Sequence, residues 1–202
     1  MFDHYLRPMK DRWLTPVARM LGPRVSPAAI TAAAFAAGLG SAVAILGGMT
    51  RVALGLWLLN RLLDGLDGTQ ARVHGRSTPF GAYLDIVLDF VVYAAIPMAI
   101  AWRHGTLAMA FAALALVATF YINAASWMYL AALLEQRSDG AAARGETTAV
   151  TMPAGLVGGT ETVAFYAAFL LWPEHQRVLF ATMAALVLVN VAARLLWARR
   201  HL

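Results

Sequence analysis

The chain contains no cysteine, which excludes disulfides and thiolate metal sites. It is also short of charge. Only 13% of its 202 residues are Asp, Glu, Lys or Arg, where a soluble domain carries about 25%. Acidic residues are the scarcest, eleven in all. What is abundant is apolar: 60% hydrophobic residues and a mean hydropathy of +0.63. This balance excludes an ordinary soluble domain and points to a membrane protein. There is no internal repeat and no low-complexity tract, so a single helical bundle is expected.

A helix needs about 20 mostly apolar residues to cross a bilayer core. Six stretches meet that length: 27–48, 52–72, 79–102, 106–134, 153–172 and 178–197. The expected fold is therefore an all-α integral membrane protein, a six-helix bundle occupying residues 25–202. Residues 1–24 precede it. In "MFDHYLRPMKDRWLTPVARMLG", Phe2, Tyr5, Leu6, Met9, Trp13, Val17 and Met20 recur at helical spacing among Arg7, Lys10 and Arg19. That pattern predicts an amphipathic helix lying in the interface, with Pro8 and Pro16 kinking or dividing it. A continuous apolar h-region and a small-residue cleavage site are missing, so it does not read as a signal peptide.

With both termini in the cytoplasm, only Arg51, Arg103 and Arg177 of the sixteen cations fall on the far side. This satisfies the positive-inside rule. Topology and anionic lipid head groups then account for the basic pI, near 10.1, without nucleic acid as a partner. Trp102, Trp127, Trp172 and Trp197 read as interface belt residues.

Four of the few acids crowd into "LLDGLDGTQARVHGRSTPFGAYLDIVLDF": Asp64, Asp67, Asp85 and Asp89. Spacings of three and four put each pair on one helix face. The polar break "HGRSTP", with Gly75, Pro79 and a solvated His74, predicts a helical hairpin whose two acidic faces meet. A carboxylate near the centre of a membrane helix costs about 2.5–3.5 kcal/mol. Arg61 and Arg72 cannot neutralise four of them. Oxygen-only ligands favour Mg²⁺, Mn²⁺ or Ca²⁺ over zinc, and two such ions held by carboxylates suit phosphoryl transfer. Gly68 and Gly81 each stand four residues from an aspartate and would leave room for a ligand. Arg72 could grip a phosphate through its guanidinium fork. Arg61, one turn before Asp64, is read as orienting that carboxylate or reaching a phosphate, with Asn60 supplying a hydrogen bond behind the site.

These residues fill D-x-x-D-G-x-x-A-R-x8-G-x3-D-x3-D at every position: Asp64, Asp67, Gly68, Ala71, Arg72, Gly81, Asp85 and Asp89. The chain thus resembles the CDP-alcohol phosphotransferase family of integral membrane enzymes. "NRLLDGLDG", "GAYLDIVLDF" and "GGTET" look most like a group of small bacterial members. The resemblance implies transfer of a phosphoalcohol group, most readily phosphatidyl from CDP-diacylglycerol, to an alcohol acceptor with release of CMP. Carried over by residue, Asp64, Asp67 and Asp85 hold two divalent metal ions, Mg²⁺ or Mn²⁺. Asp89 completes the second metal site and is the candidate general base. Gly68, Ala71, Arg72 and Gly81 line the CDP pocket. The resemblance further implies a homodimer in the bacterial inner membrane, with its active site on the cytoplasmic side and the lipid donor arriving laterally among membrane lipids. Members can also use CDP-choline-like donors.

For the acceptor, the fourth to sixth spans and their loop offer only Arg137, Arg144 and Arg194 near the cytoplasmic side, and "GGTET" places Glu161 within the membrane. A Glu there reads either as a cavity residue favouring a hydroxyl-rich or amine-bearing acceptor, or as a hydrogen-bonded partner of Asn123 or Asn190. Two other classes stay open. A divalent-cation transporter would line a path with aspartates, and an intramembrane prenyltransferase would bind a diphosphate through aspartate-rich helices. The transporter class commonly shows repeats and broken helices, and the prenyltransferase needs a larger bundle with two distant acidic motifs.

Overall fold

The computed structural model describes residues 3–137 and 157–202, and every regular element among them is helical. In chain order these are α1 (Asp3–Leu21), α2 (Pro27–Leu46), α3 (Thr50–Val73), α4 (Pro79–His104), α5 (Leu107–Gln136), α6 (Gly159–Leu171) and α7 (Gln176–His201). A single 3₁₀ turn, Pro173–His175, leads into α7.

The boundaries follow local chemistry. Ser26, Thr78 and Thr106 cap α2, α4 and α5, each hydroxyl accepting from the N–H three residues on, at 3.2, 3.0 and 3.3 Å. Pro27 and Pro79 occupy the first turns of their helices, where no N–H is needed. Gly105 closes α4 in the left-handed region (φ 62°), and Gly75 breaks the chain after α3 in the same way (φ 62°).

One expectation changes, and another is met in part. α1 runs unbroken through Pro8 and Pro16, since a proline removes one donor and strains a turn without stopping its neighbours from continuing the helix. Of the six expected spans, four correspond, among the described residues, to helices long and apolar enough to cross a membrane: α2, α4, α5 and the segment Pro173–His201. α3 has the length, but Arg51, Arg61, Asp64, Asp67 and Arg72 lower its hydropathy. The described part of the fifth stretch, α6, has 13 residues, and its expected start at 153 lies outside the described residues.

α2 is the central post. Its alanines, glycines and serine allow close approach, and both α3 and α4 pack against it. Ser41 donates to the Ala53 carbonyl at 2.8 Å, and Asn60 donates to the Ala34 carbonyl at 2.8 Å, pinning α3 to α2. The expected hairpin is therefore not closed on itself: its two arms lean on α2 and meet through long side chains. α6 packs on α3, and α7 packs on α5. The main core, including Trp57, Ile96, Leu116, Tyr166, Phe169, Phe180 and Met183, fills the space between them.

One contact in this core follows from a proline. Pro97, inside α4, has no N–H to give the carbonyl four residues back, that of Tyr93. The hydroxyl of Tyr166, fully buried on α6, donates to that carbonyl at 2.6 Å. An orphaned buried carbonyl costs about 1–3 kcal/mol. Tyr166→Phe should therefore destabilise the protein by about that amount and cost clearly less in a Pro97→Ala background, where the helix supplies its own donor. Melting temperatures in one detergent across the four proteins check this, and equal costs in both backgrounds would refute it.

Candidate active site

The acidic residues lie on the C-terminal half of α3 and the N-terminal half of α4, and α2 closes the third side. A small pocket there is lined by Thr31, Ala34, Asn60, Asp64, Asp85 and Asp89, among others. The acids are brought to one place but are paired off. Asp85 is within hydrogen-bonding reach of Asp64. Asp67, 5% exposed, accepts from the Thr31 hydroxyl at 2.6 Å. Asp89 is taken by Arg61, whose Nη2 lies 2.5 Å from Oδ1 and Nη1 3.2 Å from Oδ2. The Tyr93 hydroxyl also donates to Asp89 Oδ2, at 3.2 Å.

Arg61 itself is closely held. Its Nε donates to Asn60 Oδ1 at 2.7 Å and its Nη1 to the Tyr93 hydroxyl at 2.8 Å. The guanidinium carbon lies 4.9 Å from the Trp57 ring centre and 5.2 Å from that of Tyr93, a double cation–π contact. Trp57 is fully buried, stacks on Tyr166 at 4.8 Å and donates Nε1 to the Val163 carbonyl at 3.3 Å. Arg61 pairs with Asp64, as expected, and more closely with a second partner. Asp64 lies 3.7 Å away, whereas Asp89 takes both guanidinium nitrogens across the helices, a pairing no spacing along one helix can reveal. Asn60 lies behind the site as expected, with its oxygen on Arg61 and its nitrogen on α2.

Among the described residues, no three acidic side chains stand close enough as placed to hold a metal ion. The chemistry of the donor set nonetheless fits hard divalent cations. The ligands are anionic oxygens, and the Asp64–Asp85 approach is one that two ionised carboxylates tolerate only with a proton or a cation between them.

The expected nucleotide residues sit on the same helix ends. Gly68 leaves space that the Arg72 guanidinium occupies, since a Cβ there would come 3.2 Å from Nη1. Arg72 is exposed and donates to the Thr69 hydroxyl at 3.3 Å. Ala71 is half-buried in the last turns of α3. Gly81, exposed in the first turn of α4, gives its N–H to Thr78. His74 is not a solvated turn residue: its Nε2 lies 3.2 Å from the Ala18 carbonyl, on α1. Beside it, Gln70 donates to the carbonyls of Gly22 and Val25 at 2.8 and 3.0 Å.

Glu161 opens α6, accepting from the Gly158 N–H at 2.9 Å. Asn123 accepts from Arg194 at 3.0 Å, and Asn190 donates to the Val157 carbonyl at 2.9 Å. Arg137 ties the end of α5 to the Leu202 carbonyl at 2.8 Å, and Arg144 lies outside the described residues. Thr31, Trp57, Tyr93 and Tyr166 escaped the sequence reading. Trp57 and Tyr93 carried a usable signal, one turn from Arg61 and Asp89 respectively, whereas Thr31 and Tyr166 become visible only once the helices are packed.

The site depends on close packing at Gly38, where a Cβ would fall 2.6 and 2.8 Å from the Val92 methyls and 3.1 Å from Asn60 Nδ2. Gly38→Ala should cost about 1–3 kcal/mol by overpacking, and adding Val92→Ala should recover part of it. Thermal denaturation of the two variants decides the point; no recovery would mean that Val92 is not the obstruction.

A family model described as CDP-alcohol phosphatidyltransferase matches residues 24–196. Among curated proteins, the inner membrane protein YnjF of Escherichia coli is 41% identical over 98 residues, 48% of this chain and 47% of its own length. The bifunctional IPC transferase and DIPP synthase of Thermococcus kodakarensis is 34% identical over 83 residues, 41% of this chain and 19% of that protein. The match thus spans less than half the length of either relative. Among solved structures, Mycobacterium tuberculosis phosphatidylinositol phosphate synthase (PgsA1) with CDP-DAG bound superposes with a TM-score of 0.70 at 21% identity, covering 93% of this chain and 94% of that one. The same enzyme in complex with manganese and citrate gives 0.69 at 20% identity, covering 92% and 88%. At this identity the likeness is one of fold.

Proposed function

Since the chain belongs to the CDP-alcohol phosphatidyltransferase family, we propose that it transfers a phosphatidyl group from CDP-diacylglycerol to an alcohol and releases CMP, in phospholipid synthesis. The observation that carries this is the filled eight-residue motif, with Asp64, Asp85 and Asp89 lining one pocket between α2, α3 and α4 and Asp67 one turn from Asp64. The CDP-DAG bound to the Mycobacterium tuberculosis enzyme of the same fold supports a CDP-linked lipid donor.

Asp64, Asp67 and Asp85, with Asp89 completing the second position, would hold two divalent ions, Mg²⁺ or Mn²⁺, which when bound neutralise the donor's diphosphate and the charge of the leaving CMP. Gly68, Ala71, Arg72 and Gly81 form the nucleotide end of the site, where the exposed guanidinium of Arg72 would grip a phosphate. Asp89 accepts the proton of the acceptor hydroxyl. The hydroxyl oxygen forms its bond to the phosphorus distal to cytidine as the bond from that phosphorus to the CMP oxygen breaks.

The same reading treats α1 and its flanks, residues 1–24, as an interfacial segment ahead of a six-helix membrane domain, 25–202. It places both termini and the acidic site on the cytoplasmic face of the inner membrane. A homodimer is the expected assembly.

Purified protein with Mn²⁺ and CDP-diacylglycerol should release CMP only when a suitable alcohol is added, which a screen of alcohols reads directly. Asp89→Asn should slow turnover by about 10²–10⁴-fold, the usual worth of a general base, and Asp64→Asn or Asp85→Asn by more. Near-normal turnover of Asp89→Asn would remove the base assignment, and metal flux into liposomes without CMP would favour a transporter. Glu161 is proposed to favour uncharged or amine-bearing acceptors. A preference for a phosphorylated alcohol that Glu161→Gln leaves unchanged would refute that role.

A further inference from the structure

The Arg61–Asp89 pair is not symmetric. Arg61, with 9% of its side chain exposed, is fixed by three contacts that do not involve any acid: the Asn60 oxygen on Nε, the Tyr93 hydroxyl on Nη1 and the flanking rings of Trp57 and Tyr93. Asp89 is a short side chain, 25% exposed, held by Arg61 and by the hydroxyl that Arg61 shares. The guanidinium therefore sets where the carboxylate sits. Its two oxygens also differ. Oδ1 faces Nη2 at 2.5 Å, while Oδ2 is held at 3.2 Å by both Nη1 and Tyr93.

We propose that Arg61 is the positioning residue of this site: its guanidinium grips both oxygens of Asp89, most closely Oδ1, and so sets where that carboxylate stands and competes with a divalent cation for it. Two consequences of opposite sign follow. Arg61 weakens cation binding, because it competes for Asp89 and adds a positive charge beside Asp64. It raises turnover, because a carboxylate gripped through both oxygens cannot swing. The inference rests on the transferase reading above, and its test separates the two.

The experiment measures Mn²⁺ affinity by electron paramagnetic resonance on purified protein without donor, together with kcat and KM for CMP release. Arg61→Gln should bind Mn²⁺ more tightly, by about tenfold, the lower edge of what residues behind a metal ligand typically exert. Its kcat should fall while KM for the donor changes little. In the Asp89→Asn background the same substitution should shift Mn²⁺ affinity by less than about threefold, since interacting residues are non-additive. Arg61→Lys keeps the charge but cannot hold two oxygens in a fork, so it should also tighten Mn²⁺ binding. It serves in place of Arg61→Gln should the latter fail to fold.

Weaker Mn²⁺ binding in either variant, or an equal factor in both Asp89 backgrounds, overturns the proposal. If the wild type forms CMP and the factors are equal, the inference alone fails. If the non-additivity is present but no alcohol yields CMP, the transferase reading alone fails. Absence of saturable Mn²⁺ binding overturns both.

Discussion

Four carboxylates in a bundle this apolar must be compensated, and the rest of the arrangement follows from how that is done. Each would cost about 2.5–3.5 kcal/mol at the centre of a membrane helix. The protein meets the cost by giving each a partner: Thr31 for Asp67, Arg61 and Tyr93 for Asp89, and mutual approach for Asp64 and Asp85. The most demanding partner is Arg61. A guanidinium in apolar surroundings needs its own donors satisfied and its flat faces covered, so Asn60, Trp57 and Tyr93 are arranged around it. Those in turn fix α2 through Asn60 and α6 through Trp57 and Tyr166. One ionic interaction thus organises four helices.

The same arrangement explains why α2 is built from small residues. Asn60 reaches the Ala34 carbonyl only if α3 lies close to α2, and Val92 of α4 reaches Gly38 only if that position carries no side chain. The weak amphipathicity of α2 is then no surprise, since it faces neighbours on two sides. Such a packed post also bears on the rival functions. A cation path needs acids strung along a channel on both sides of the midplane, whereas here they are confined to one end of two helices. A diphosphate-binding prenyltransferase needs two distant acidic motifs, whereas here one motif is split over a single short connection.

Much of this was legible beforehand because it is local. The break at Gly75 and the motif itself depend on residues within a few positions of one another. The one-face spacing of each aspartate pair is likewise a property of a single helix. What could not be read was cross-helix choice: that Arg61 prefers Asp89 to its own neighbour Asp64, that Thr31 meets Asp67, and that Tyr166 serves the carbonyl left bare by Pro97. These depend on the distance between helices, which spacing does not encode. The span count is matched only in part, for a related reason. α3 carries the site's charges, so the hydropathy that marks a crossing helix is diluted by the residues that give that helix its chemistry.

The fastening of α1 carries a further consequence. Gln70 and His74 occupy the last turns of α3, next to the motif's Ala71 and Arg72, and reach across to carbonyls at the end of α1 and in its link to α2. Lifting α1 and its link away would take the Gln70 amide from the Gly22 and Val25 carbonyls and His74 from that of Ala18 at once. The first helix is therefore geared to the acidic end of the third: thinning or bending of the surrounding lipid that tilts the one must drag on the other.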